Sequence, residues 1–418
     1  MIGRDRMATE TVAREEGHAS RLVAASRWSL HVTFAALPLY VVRWRYGPLP
    51  TTLLETLIGI TVVLYVAGRW RDGMRRPLRT PFDVPIVLLL VAGAIAVFVP
   101  KDHVAAAGLY RAFFVEPVLL FYVASDLFRD RSTLARALIA FAIGSSLFAF
   151  LNFGAFAIAL QASAVHVGDA PTALYNNPNY VAMYMEPAVA LATGFLLFAM
   201  TPRLRMFGIA WLAISGLALM LTFSKGGYLV LAALGVLVVT AVPRWRVPVF
   251  VALVVLAVAI SRLPLVSDRL ANVYNSLIGR ATIYGATLQM LRDSPIFGLG
   301  LGGYNYLFRN RQPTPYPHDI WLAFWVELGL LGLVAFAIIL AGLLVRGVRR
   351  WRTVERADRA AYWGSLAALA MLTVHGFVDT PYFKNDMSAE FWLVAAIQVA
   401  ILASFTKPTP NTRTLLSN

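Results

Sequence analysis

Apolar stretches long enough to cross a bilayer recur along the whole chain, and no other feature limits its possible folds so strongly. They can be drawn at residues 22–42, 51–68, 84–99, 109–125, 134–155, 180–199, 207–223, 228–242, 247–260, 319–344, 361–377 and 390–405. An α-helix needs about 20 apolar residues to span hydrocarbon, and these windows approach or reach that length. With 59% hydrophobic and only 14% charged residues, the chain has too much apolar surface for a soluble domain and too many interruptions for a single anchor. The expected fold is an all-α polytopic membrane protein with about twelve transmembrane helices. Residues 1–260 would hold spans one to nine, 261–318 a long outer loop with amphipathic helices, and 319–418 spans ten to twelve with a tail. The chain has no cysteine, which excludes disulfides, thiolate metal sites and cysteine nucleophiles.

The basic residues orient the bundle. The connections 69–80, 126–136, 200–206, 243–246 and 345–360, with the N-terminal 27 residues and the tail, carry 25 of the 37 Lys and Arg. The positive-inside rule makes that side cytoplasmic and puts both termini there. The same rule accounts for the net charge of +15 without nucleic acid as a partner. Residues 1–21 have mixed charge and no apolar core, so no cleavable signal is expected.

Half of the remaining twelve basic residues violate the bias by clustering in one outer segment. Arg262, Arg269, Arg280, Arg292, Arg309 and Arg311 all fall between spans nine and ten. A cationic segment on the outer side calls for an anionic, phosphate-bearing ligand. From Ser267 to Arg292 the spacing of Leu270, Val273, Leu277, Ile283, Leu288 and Leu291 fits one or two amphipathic helices. In a continuous helix Arg269 and Arg280, eleven residues or about three turns apart, share a face and could hold a diphosphate. A solvated or headgroup-facing helix would carry the same pattern. The glycines of Pro295-Ile-Phe-Gly-Leu-Gly300 allow tight turns, but no Gly-Lys-Ser/Thr ending follows, which excludes a nucleotide loop. Pro317 places His318 at the mouth of span ten, where a solvated cap is as ordinary a role as catalysis. Glu116, Glu186 and Arg111 fall within spans, where an ionisable group needs a cavity or a partner. The five-residue separation of Arg111 and Glu116 suits an in-helix pair poorly.

The block from Arg280 to Gly332 resembles the signature of the O-antigen ligase superfamily, membrane enzymes that ligate or polymerise lipid-carried bacterial polysaccharides. That signature has a loop-helix arginine, a Pro-Leu/Ile-Phe-Gly-x-Gly turn, then a histidine with a small polar residue, nine residues and Gly-x-x-Gly. Here it reads Arg280, Pro295 to Gly300, His318-Asp319 and Gly329-Leu-Leu-Gly332. Asn177-Pro-Asn179, Ser224-Lys-Gly-Gly227 and His375-Gly-Phe-Val-Asp379 agree as well, so the likeness covers residues 175–385. Two positions depart from it. Asp319 stands where an amide or serine is usual and could raise the basicity of His318; Lys225 stands where arginine is usual.

The resemblance implies a GT-C-like glycosyltransferase at the outer face of the bacterial inner membrane. The donor would be polysaccharide on undecaprenyl pyrophosphate, the acceptor a hydroxyl of the lipid A core oligosaccharide, with membrane lipids around both. His318 would be the general base, since an imidazole titrates near about 6.5. Arg280, Arg269 and Lys225 would stabilise the departing pyrophosphate. Asn177 and Asn179 could bind sugar hydroxyls, and Asp319 and Asp379 are the carboxylates a retaining route would need. His375, inside span eleven, reads instead as a hydrogen-bonded structural group. A chain polymerase and a protein O-glycosyltransferase are the alternatives within the superfamily. A transporter is less well supported, because the polar residues concentrate in one loop instead of repeating in two halves. No cofactor is expected, and no Asp-x-Asp or Glu-x-x-Glu pair on the outer side suggests a metal. Transfer by purified protein should therefore proceed at a near-normal rate in EDTA; activity lost to the chelator and restored by Mg²⁺ or Mn²⁺ would overturn the arginine-based scheme.

Overall fold

The computed structural model describes residues 21–47, 49–73, 78–165, 170–262, 273–304 and 316–404. Each apolar window is occupied by a helix. Helix α1 covers 21–35, α2 Leu53–Arg71, α3 Asp83–Ala96 and α4 His103–Leu127. The next five are α5 Arg131–Gln161, α6 Pro178–Phe198, α7 Pro202–Leu221, α8 Lys225–Ala241 and α9 Arg246–Arg262. The helix between the ninth and tenth apolar windows is α10, Val273–Asp293, and the last three are α11 Ile320–Arg350, α12 Arg359–Gly376 and α13 Asn385–Ser404. Seven of them, α2, α4, α5, α6, α7, α11 and α13, are long and apolar enough to cross a bilayer, while α3 and α8 are apolar but only 14 and 17 residues long. A short antiparallel hairpin, β1 Arg43–Tyr46 and β2 Leu49–Thr52, precedes α2 and pairs Arg43 with Thr52.

Polar residues between the apolar runs set where helices begin. The Thr52 hydroxyl accepts from Glu55 N at 3.2 Å while Glu55 accepts from Thr52 N at 3.1 Å, a capping box that starts α2. Asp130, Asn177, Thr201, Ser224 and Asp319 cap α5, α6, α7, α8 and α11 through their side chains. Pro178 and Pro202 follow two of these caps directly, where the missing N–H costs nothing.

Small residues let the helices touch backbone to backbone. Helix α6 lies at the centre. A Cβ on its Gly194 would stand 2.2 Å from Ala360 O of α12, and one on Gly364 of α12 would stand 2.7 Å from Leu191 Cα. Gly208 of α7 meets α6 and Gly144 of α5 meets α1 in the same way. Apolar burial does not separate helix–helix from helix–lipid contact, so this close packing supplies the attraction. An aromatic core fills the space between α4, α11 and α13: Phe324 and Phe336 stack at 3.8 Å, and Tyr382 donates to Phe113 O at 2.9 Å.

Two irregularities interrupt the helices. Helix α4 opens into a π-turn at Arg111–Val115, whose i to i+5 repeat stacks residues five apart. This corrects the expectation for Arg111 and Glu116: they form an ion pair at 3.3 Å, and Arg111 also donates to Glu55 at 2.7 Å. Helix α11 breaks at Gly329, which takes φ 71°, ψ −176°. The glycine turn after α10 fills the gap. Leu299 N donates to Val326 O at 2.7 Å, Leu330 N to Ile296 O at 2.9 Å, and Gly302 N to Glu327 at 2.6 Å. Gly298 needs its positive φ and its missing side chain together, since a Cβ would lie 2.4 Å from both Trp325 O and Val326 O.

Because its neighbour is rigid backbone, Gly364→Val should lower stability by about 2 kcal/mol or more. A thermal unfolding midpoint equal to that of the unsubstituted protein would contradict the packing of α12 on α6.

Candidate functional site

His318 is the residue just before the Asp319 cap of α11, and it is held at φ 55°, a left-handed conformation uncommon outside glycine. Tyr284, on α10, fixes it there: its hydroxyl lies 2.8 Å from His318 O and 3.2 Å from Phe377 O, tying α10 to the start of α11 and the end of α12. Such backbone strain persists only where the surroundings over-determine it.

The strained backbone points the imidazole at Asp379. Nδ1 of His318 stands 3.2 Å from Asp379 Oδ1, with the ring 27% exposed and the carboxylate 4%. One face of the histidine is therefore open while its partner is enclosed. Asp379 also accepts from Thr380 N at 2.9 Å and from Asn179 Nδ2 at 3.3 Å. Burial works to raise the Asp379 pKa, but the His318 hydrogen bond and the nearby histidine charges outweigh it and hold the carboxyl below its usual range. Asn177 sets up Asn179 by accepting its backbone N–H at 2.8 Å while capping α6.

Asp319 does not take the position expected of it. Its carboxylate accepts from Leu322 N at 2.8 Å, and burial raises its pKa. The cap geometry turns this side chain into the first turn of its own helix, so the carboxylate beside His318 comes from the end of α12 instead.

A second polar pair lies directly behind. His375 Nδ1 is hydrogen-bonded to Glu186 Oε1, both buried, one helical turn before Asp379. On the other side the His375 ring rests against Gly226, where a Cβ would come 2.3 Å from Nε2. The glycine after Lys225 is thus required by contact with this ring. Lys225 itself opens α8 behind the Ser224 cap. Arg280 is half-buried on α10, one turn from Tyr284, and its charge reaches both Tyr284 and His375. Ile283, Thr287 and Leu291 continue the same buried stripe and dock α10 on the body. Arg269 lies outside the described residues, so its shared face with Arg280 is not seen.

The structure thus brings His318, Asp379, Asn179 and Asn177 together from the ends of α6, α11 and α12, with Arg280 of α10 close enough for its charge to reach Tyr284 and His375, and Lys225 preceding the Gly226 that touches His375. Tyr284, Glu186 and the nearby Lys384 were not among the site residues named from the sequence, although Glu186 was marked there as needing a partner. Tyr284 had a signal, its spacing of four from Arg280 on one helix. Glu186 had a weaker one, a carboxylate inside an apolar window. Lys384 had none: its ammonium lies 3.8 Å from the Tyr175 ring centre, 4.3 Å from Tyr180 and 4.8 Å from Tyr40, and these tyrosines are remote from it in sequence.

Residues 208–337 match the family model described as O-antigen ligase. The matched segment runs from α7 into α11 and contains Lys225, Arg280, His318 and Asp319, while Asn177, Asn179 and Asp379 lie outside it. No curated protein matches the chain in a sequence search.

The contact between Gly226 and His375 is open to direct test. Gly226→Ala should cost about 1–3 kcal/mol by displacing the imidazole from Glu186, whereas Gly227→Ala, whose Cβ would meet side chains at 3.2 Å or more, should cost clearly less. Equal thermal midpoints for the two variants would remove the structural role given to this contact.

Proposed function

We propose, from the match of residues 208–337 to the O-antigen ligase family model, that the chain transfers polysaccharide from undecaprenyl pyrophosphate to a hydroxyl of the lipid A core. In this reading the bundle has twelve spans with a GT-C-like arrangement, both termini are cytoplasmic, and the cluster around His318 faces the periplasm. ATP is absent there, so the donor must arrive already activated, as a pyrophosphate-linked glycan is.

The observation that carries the reading is the His318–Asp379 pair, 3.2 Å apart, with the imidazole open and the carboxylate enclosed. With its proton on Nδ1 toward Asp379, the ring presents the Nε2 lone pair to an incoming hydroxyl. The acceptor oxygen attacks the anomeric carbon, its proton passes to Nε2, and the bond to the pyrophosphate oxygen breaks. Direct displacement inverts the anomeric centre. Negative charge then gathers on the pyrophosphate, where the guanidinium of Arg280, joined by Arg269 and Lys225, stabilises it in a poorly solvated site. Asn177 and Asn179, at the start of α6, would bind sugar hydroxyls in this reading. The ligase is favoured over a polymerase because the stretch 156–179 carries no Lys or Arg that would form a second cationic loop.

His318→Ala should slow transfer by about 10²-fold or more while the protein is made normally, the scale of losing a general base. Asp379→Asn should lose at least about tenfold, since the neutral amide no longer favours the charged ring and can turn its NH₂ toward Nδ1. His103→Ala should remain active. Full-length polymer attached by a well-expressed His318→Ala protein, followed on a lipopolysaccharide gel, would remove the proposed mechanism.

A further inference from the structure

The far end of the bundle carries a second cationic feature, independent of the His318 cluster. Helix α11 is 31 residues long, and this feature lies at its C-terminus, the end opposite the histidine. There Arg346, Arg349 and Arg350 meet Arg79, from just before α3, and Arg129, from just after α4, around a cleft of about 760 Å³. Its walls are mixed: Phe82, Leu343 and Leu402 line it beside the guanidinium groups. Arg346 lies over the Phe82 ring at 5.4 Å, which turns its charge along an apolar surface.

Carboxylates do not balance this cluster. Arg129 reaches Asp126 only at 4.0 Å, and that aspartate is already paired with Arg69 at 3.0 Å. Arg79, Arg346, Arg349 and Arg350 make no ion pair among the described residues. The orienting role of basic loops asks only that arginines flank spans in sequence; it does not ask three separate segments to converge on one cavity. A second observation points into the same cleft. Gln398 lines it, is 1% exposed, and its side-chain NH₂ has no hydrogen-bond partner among the described residues. An unpaired buried amide is costly, and an acceptor oxygen in the cleft would recover that cost.

We propose that this cleft binds the phosphates of an anionic phospholipid headgroup, with the guanidinium groups and the Gln398 amide as donors and the acyl chains running over Phe82, Leu343 and Leu402. Five arginines exceed what a single phosphate neutralises, so the preferred ligand carries two, as cardiolipin does. Basic pockets between spanning helices are suited to such headgroups.

The test uses the full chain in phosphatidylcholine nanodiscs with and without cardiolipin, and native mass spectrometry of the detergent-purified protein with cardiolipin, phosphatidylcholine or inorganic phosphate added. The unsubstituted protein should retain cardiolipin in preference to phosphatidylcholine, and inorganic phosphate should not displace it. The triple variant Arg346→Gln, Arg349→Gln, Arg350→Gln should lose about tenfold or more of that preference, and Gln398→Leu should weaken it while leaving the arginines in place. His318→Ala should bind as the unsubstituted protein does. Displacement by inorganic phosphate would show a free-anion site and overturn the lipid assignment. Equal retention of the two lipids, or a preference unchanged in both Gln398→Leu and a triple variant of unaltered thermal midpoint, would overturn the site altogether.

Discussion

A backbone that crosses hydrocarbon has to satisfy its own N–H and C=O groups, because an unpaired one costs several kcal/mol there. Helices meet this requirement almost everywhere in this chain, and polar side chains gather where they depart from it. At Gly329 the break in α11 exposes backbone groups that the glycine turn pairs, with Leu299 N donating to Val326 O and Ile296 O accepting from Leu330 N, while the Glu327 carboxylate accepts from Gly302 N of the turn. At the π-turn of α4 the altered repeat brings Arg111 onto Glu55 and Glu116, and Asn385 at the start of α13 donates to the same Glu55 at 2.6 Å. Both departures join segments distant in sequence, so each works as a clamp as well as an irregularity.

The clamp at Gly329 bears directly on the candidate site. It anchors the chain leaving α10 to the middle of α11, while Tyr284 anchors α10 itself to the first residues of α11 and the last of α12. Between these two attachments the His318 backbone has little freedom, which is how a left-handed histidine survives next to a proline. The Glu186–His375 pair then sets the end of α12 against α6, so that the following turn delivers Asp379 to the imidazole. Positioning here comes from packed helix ends and not from a mobile loop, the arrangement that holds a proton-transfer geometry most tightly.

Several of these features were legible beforehand. The apolar windows located the helices because length and hydrophobicity alone decide membrane insertion, and the caps and prolines marked their starts. His318, Asp379, Asn179, Lys225 and Arg280 could be singled out from motif spacing, although nothing in the spacing said which carboxylate meets the histidine. Asp319, adjacent in sequence, was the natural candidate; the geometry of an N-cap directs it to Leu322 N instead. Arg111 and Glu116 were misjudged because a regular helix was assumed, and a π-turn has no pattern of its own in a run such as Arg-Ala-Phe-Phe-Val.

The sequence by itself determined a helical chain built to lie in a bilayer, a cationic segment between its ninth and tenth apolar windows, and a set of motifs that resemble those of the O-antigen ligase family, because each of these is a local property of composition and spacing. Only the tertiary structure decided that Asp379 and not Asp319 faces His318, that Gly226 must be small because His375 lies against it, and that Lys384 sits among three tyrosines. It alone brought Arg79, Arg129 and the three arginines of α11 around one cleft. These are contacts between helix ends far apart in the chain. Their partners are chosen by how whole helices pack against one another, and that packing depends on close backbone approach at positions such as Gly194 and Gly364, which no short window of residues encodes.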